Sequence, residues 1–161
     1  MAVHKLIFDD VFDEVLFTLV AIHSNLEDYR LAYLLNNNLG TTLTRRKQDL
    51  DYNNGNASYS IFEWYDYKSL TTWSLVSNIC KKESFQHRND QLLFNSIEKI
   101  TRKFHLLPEY KNVNYFLKVD SEFKPKKEKY IITSILKIPQ IATAYSIDTS
   151  QLKSKDNLIF S

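Results

Sequence analysis

Four histidines, one cysteine and nineteen carboxylates are the groups with which this 161-residue chain could do acid–base, nucleophilic or metal chemistry. His4, His23, His87 and His105 have no metal-ligand spacing among themselves, and Cys80 supplies only a single thiol, so no metal is expected. Glycine occurs only at positions 40 and 55, which leaves no glycine-rich phosphate loop and no dinucleotide fingerprint. Neither G-x-S-x-G nor H-E-x-x-H occurs, and no cofactor or catalytic residue is expected.

Three places remain to be weighed. At His23-Ser24-Asn25 an apolar run gives way to a helix pattern. A helix N-terminus offers free amides to an anion, and the imidazole, Arg45 or Arg46 could assist, making this turn a candidate small-ligand site. The plainer reading is that Ser24 and Glu27 satisfy those amides themselves. At Pro108-Glu109 a carboxylate in a polar loop could serve as a general base, yet no partner acid or nucleophile accompanies it. Capping the turn before Val113, or pairing with a lysine, explains Glu109 more simply. Lys118, Lys124, Lys126, Lys127 and Lys129, beside Phe116 and Phe123, could track a nucleic-acid backbone while the rings stack on bases. Against this, lysines commonly just keep a helix face soluble, and NYFLK at 114–118 lacks the signature of an RNA-recognition strand.

Periodicity supplies the elements that must position these residues. Over 113–120, Val113, Tyr115, Leu117 and Val119 alternate with Asn114, Phe116, Lys118 and Asp120, predicting a half-buried strand whose even face meets water. Ile131, Ile135 and Ile138 share a helical face, with Pro125 in the first turn and Pro139 as the stop. The β-branched run Ile131-Ile132-Thr133 argues for a third strand instead. Residues 141–148 alternate bulky Ile141, Thr143, Tyr145 and Ile147 with small Ala142, Ala144 and Ser146, a strand with one smooth face. With the helix, this makes a βαβ unit with parallel strands and a right-handed crossover.

The first half has the same outline. Residues 4–8 suggest a short strand, and 16–23 a central strand apolar on both faces. Ser24 and Glu27 match a capping box ahead of Leu31, Leu34, Leu35 and Leu39, and Gly40 suits a left-handed stop, so a helix is expected over 25–39, frayed at 36–38. A polar edge strand at 41–50 and an Asn54-Gly55 hairpin turn follow. Strands are expected at 58–66, 71–80 and 97–107, a charged exposed loop at 81–91, and an extended tail at 149–161 whose Leu158, Ile159 and Phe160 either pack back or bind elsewhere. The expected fold class is α+β: one domain, residues 1–161, with a largely antiparallel multi-stranded sheet, two βαβ units and two main helices on one face.

Charge and cysteine usage narrow the classes. Residues 1–60 hold five Lys/Arg against eight Asp/Glu (−3), and 61–161 hold sixteen against eleven (+5). The overall +2 is below the strongly basic balance of a typical nucleic-acid footprint. A lone Cys80 and a start, MAVHKLIFDD, without an apolar leader lead to the expectation of a cytoplasmic protein, and the longest apolar run is too short for a bilayer.

The segment Leu107-Pro108-Glu109-Tyr110-Lys111-Asn112-Val113-Asn114-Tyr115 resembles the signature of the bacterial IPExxxVDY family, named for that motif. Leu107 stands for Ile and Asn114 for Asp, so an ionised group at 114 is not required here. The stretches AIHSNLEDYRLAYLLN, FEWYDYK, WSLVSNIC and IATAYSIDTSQLKSKDNLIF also look like the family's pattern, and the resemblance covers nearly the whole chain. It implies a small cytoplasmic protein of Bacteroidota and carries over no activity, cofactor or functional residue.

Abundant aromatic strands without a catalytic constellation point first to a non-enzymatic interaction or regulatory module, a homodimer or the partner of another protein. The alternatives are an RNA- or ribosome-associated protein using the lysine-rich C-terminal half, and a small-ligand sensor at the 23–25 turn.

Overall fold

The computed structural model describes residues 16–52, 54–87 and 97–160; the expected strand at 4–8, His4, and the end of the expected loop at 88–91 lie outside them. The chain runs β1 (Thr18–Ser24), α1 (Asp28–Leu39), β2 (Thr44–Arg45), β3 (Leu50–Tyr52), β4 (Ala57–Tyr59), β5 (Ile61–Asp66) and β6 (Thr71–Ser77). It continues through β7 (Ile79–His87), β8 (Ile97–His105), β9 (Tyr115–Val119), α2 (Pro125–Leu136) and β10 (Ile141–Ser146). Six strands make one antiparallel sheet in the order β10-β1-β9-β6-β5-β2, while β3–β4 and β7–β8 are separate two-stranded ribbons. This is an α+β fold, and among the described residues no helix is long and apolar enough to cross a membrane.

Both βαβ units are split. Because β9 and β10 each pair antiparallel with β1, they run parallel to one another with β1 between them. The strands of the first unit, β1 and β2, are likewise parallel but have β9, β6 and β5 between them. The β-branched residues of α2 do not prevent the helix, because Ile131 and Ile135 bury against β1 and β9 on the same sheet face that receives Leu31 and Leu35 of α1. Each such side chain contributes about 1.5–3 kcal/mol when fully buried.

The reverse face is covered as well, and this overturns the half-buried reading of β9. Phe116 has no exposure and packs with Leu19, Ala21, Tyr59, Leu107 and Leu158, which arrive from β1, the β3–β4 ribbon, the loop after β8 and the C-terminal tail. The tail is not extended. It makes 3-10 turns at Thr149–Gln151 and Lys155–Leu158, buries Leu158, and receives a hydrogen bond from the Tyr52 hydroxyl on the Asn157 carbonyl at 2.6 Å.

Four local expectations are corrected. The capping box does not form: Ser24 stays in β1, its hydroxyl donates to the Gln140 carbonyl, and Glu27 caps the shortened helix without a side-chain bond. Residues 36–38 remain helical because Asn36 locks the turn, accepting from Thr41 Oγ1 and Leu43 N, before Gly40 takes a left-handed φ of 68°. The 41–50 and 58–66 runs divide between the main sheet and the β3–β4 ribbon, whose turn has Asn54 and Gly55 both at positive φ. The stretch from Ile79 to His87 is strand, not loop, because every residue in it has a cross-strand neighbour in β8.

Candidate functional site

Asn78 sits where the chain leaves the main sheet between β6 and β7, and it has no solvent exposure. Its side-chain amide donates to the carbonyls of Tyr110 and Val113, both at 2.8 Å, and its Oδ1 accepts from Leu107 N at 2.9 Å. Its backbone N–H donates to Asn114 O, and its carbonyl accepts from Leu106 N. The 107–115 segment is therefore stitched to one buried side chain.

Within that segment each motif residue has a different attachment. Leu107 and Val113 are buried in the reverse-face core, and Pro108 opens a 3-10 turn, Pro108–Tyr110. Glu109 accepts from Lys153 N and Ser154 N, so its carboxylate clamps the tail and does not cap the turn before Val113. Asn114 Oδ1 accepts from Ser24 N at 2.9 Å. The Tyr115 hydroxyl donates to Leu26 O at 2.7 Å, and burial, with Asp28 and Glu27 nearby, pushes its pKa up to about 12.

The 23–25 turn thus joins the motif at the ends of the strands, where Ser24, Asn25, Asn114, Tyr115 and Lys81 line an open polar cleft of about 370 Å3. His23 Nε2 lies 3.1 Å from the Tyr145 hydroxyl across β1 and β10. The arginines are not brought to this turn. Arg45 and Arg46 are on or beside edge strand β2, where Arg45 pairs with Asp28 at 2.8 Å and with Asp49, and Arg46 pairs with Glu63 at 3.1 Å. Asp28 also accepts from Tyr29 N, so the start of α1 is already served by a carboxylate.

The five lysines do not share a surface. Lys118 lies under the tail with only 12% of its side chain exposed. Its ammonium donates to Leu158 O at 2.8 Å, pairs with Asp120, and sits over the rings of Phe17 and Phe160. Lys124, Lys126, Lys127 and Lys129 are exposed at the start of α2, on the opposite layer, and Lys127 lies over the Phe123 ring at 4.3 Å. Phe116 and Phe123 are both buried, which removes them as platforms for bases. Among the described residues, no group of three or more His, Cys, Asp or Glu side chains is placed to hold a metal ion.

β8 was expected as a strand over 97–107, but β7 beyond residue 80 and its pairing with β8 into a ribbon were not legible. The ribbon's apolar packing on the body is at its base, through Cys80 and Phe104. From Lys81 to Gln86, and over 97–103 apart from Ile100, the described side chains are exposed on both faces, including Phe85 at 69% and Ile97 at 61%. Lys81 is directly opposite Lys103, and Lys82 directly opposite Arg102. Lys99 bridges to Glu83 at 2.9 Å, and Lys82 Nζ donates to Gly55 O at 2.6 Å. His105, near the base, has its pKa lowered by burial and by the positive charges of Lys111 and Lys103. The available sequence signal was the occurrence of two short basic clusters, KK at 81–82 and TRK at 101–103. Set against protein-family models, curated proteins and solved structures, the chain gives no significant match to any of them.

Proposed function

We propose that this chain is a non-enzymatic interaction module that meets its partner through the β7–β8 ribbon. The observation that carries this reading is a two-stranded ribbon standing off the body with both faces, Phe85 and Ile97 exposed. A lone two-stranded ribbon is marginally stable in water, and exposed apolar side chains at its end favour a partner that covers them. A photo-crosslinking amino acid placed at Phe85 in the producing cell tests the reading, with the same group at Tyr67, 81% exposed on the β5–β6 turn, as the control. Adducts from position 85 and none from 67 are the expected result. No adduct at 85, or equal labelling at both, would overturn it.

Self-association has separate support in β10. Among the described residues no strand pairs with its outer edge, and the six residues IATAYS carry neither charge nor proline. Edges without such protection pair readily with another copy, whereas the opposite edge, β2, is two residues long and carries Arg45. Sedimentation equilibrium is expected to give a dimer that Thr143→Lys converts to monomer; a monomeric parent protein removes this reading. Membership of the IPExxxVDY family is part of the same proposal and rests on the sequence resemblance at 107–115, where Glu109 attaches to the tail and Asn114 and Tyr115 both attach to the turn at 24–26.

A further inference from the structure

We propose that the partner of the ribbon is double-stranded DNA, with β7–β8 seated in the major groove and Lys81, Lys82, Lys99, Arg102 and Lys103 facing the phosphates. This rests on the reading of the ribbon as the contact element and adds the chemistry of what it contacts.

The argument starts from a cost. Like charges directly opposite one another on neighbouring strands destabilise the pair, and here two successive ladder positions, Lys81–Lys103 and Lys82–Arg102, both carry that arrangement. Successive residues of a strand point to opposite faces, so repulsion is present on both faces at the same level of the ribbon. Only Glu83 and Glu98 oppose the five cations of β7 and β8. A polyanion relieves both repulsions at once.

The distribution of charge selects the shape of that polyanion. Lys81, Lys99 and Lys103 share one face, while Lys82 and Arg102 share the other. A flat acidic surface would engage one set and leave the other in water. A groove has a phosphate wall on either flank, and the major groove of B-form DNA, about 12 Å wide, admits a two-stranded ribbon. The major groove of A-form RNA is too narrow and deep for it. Phe85 and Ile97, together on one face towards the far end, suit apolar contact with thymine methyl groups. The lysines of α2 are on the opposite layer from the core into which Cys80 and Phe104 anchor the ribbon, so they serve as an internal control.

The test is fluorescence anisotropy of the full chain with a labelled, mixed-sequence DNA duplex two helical turns long, across a salt series. The association constant is expected to fall with salt at a log–log slope of about −4.5 if the five cations each neutralise a phosphate. Arg102→Glu and Lys103→Glu are each expected to weaken binding by about tenfold or more. Lys103→Glu should at the same time raise Tm, since it gives Lys81 an opposite charge as its cross-strand neighbour. Weaker binding in a more stable protein cannot come from misfolding. Lys126→Glu and Lys129→Glu on α2 should leave affinity within about twofold. No binding to duplex DNA, salt-independent binding, equal loss from the α2 variants, or preference for duplex RNA or single strands would overturn the proposal. Protein adducts at Phe85 without any DNA binding would end this inference and leave the interaction module standing; neither adducts nor DNA binding would end both.

Discussion

Asn78 is the residue on which the signature segment depends. Its side chain bonds two carbonyls and one amide of residues 107–113, with the bonds to Val113 O and Leu107 N buried and that to Tyr110 O half-buried. Asn78→Ala would leave Tyr110 O, Val113 O and Leu107 N without these partners. A buried group stranded in this way costs about 1–3 kcal/mol, so a loss of roughly 3 kcal/mol or more is expected in urea unfolding. Loss below about 1 kcal/mol would mean that the segment holds its own shape. Asn114 has a similar structural task, accepting from Ser24 N, which needs an oxygen and not a charge. Tyr115 and Tyr59 add a pH dependence, because both have pKa values pushed up to about 12, chiefly by burial. Their raised values mean the native state keeps protons that the unfolded chain releases. The contribution of these two tyrosines to stability should therefore be flat below about pH 10 and fall as pH rises from 10 towards 12. Tyr115→Phe should reduce that alkaline fall while costing about 1 kcal/mol at neutral pH through the lost bond to Leu26 O. An unchanged alkaline slope in the variant would contradict this.

At the scale of elements, what could be read from the sequence was what periodicity alone decides. Ile131, Ile135 and Ile138 identified α2, alternation identified β8 and β10, and Asn54-Gly55 identified the ribbon turn. The failures share a cause, namely that a distant segment settled the local choice. Ser24 was drawn from helix capping into β1 by pairing with Ile141 and bonding to Gln140. Nothing local to 113–120 shows that Leu107, Tyr59 and Leu158 cover Phe116. β7 was missed because a strand exposed on both faces has no apolar period to detect. The site followed the same rule. The 107–115 segment was recognisable as a unit, but its role in tying β1, the β6–β7 break and the tail together is tertiary. The tail offers a direct test: Glu109 supplies both acceptors for Lys153 N and Ser154 N. Glu109→Gln keeps one acceptor oxygen, so hydrogen exchange should accelerate at those two amides while the unfolding midpoint moves by only about 1 kcal/mol equivalent. Unchanged exchange at both amides would show that the tail is held by Leu158 and Asn157 alone.

For the whole molecule the decisive feature is one sheet shared by two cores. β1 gives Val20 and Ile22 to the helix side and Leu19 and Ala21 to the reverse side; β9 gives Leu117 and Val119 to the first and Phe116 to the second. Losing either layer exposes one face of the strands that anchor the other, so the layers should unfold together. Each side has its own reporter: Trp73 is buried against α2's side with Phe123, and Cys80, the single cysteine, is buried on the reverse side. Urea titrations followed by tryptophan fluorescence and by Cys80 thiol reactivity are expected to share one midpoint. Leu35→Ala, which removes a fully buried side chain from the helix side, should cost about 2–5 kcal/mol and shift both reporters equally. The ribbon beyond Lys81 takes part in neither core, so its ladder amides should exchange well before this common transition. Separate midpoints for Trp73 and Cys80 would show that the shared strands do not couple the two faces. Ribbon amides protected as strongly as those of β1 and β9 would mean that the ribbon is held by the body, and it would then no longer be the element left free for a partner.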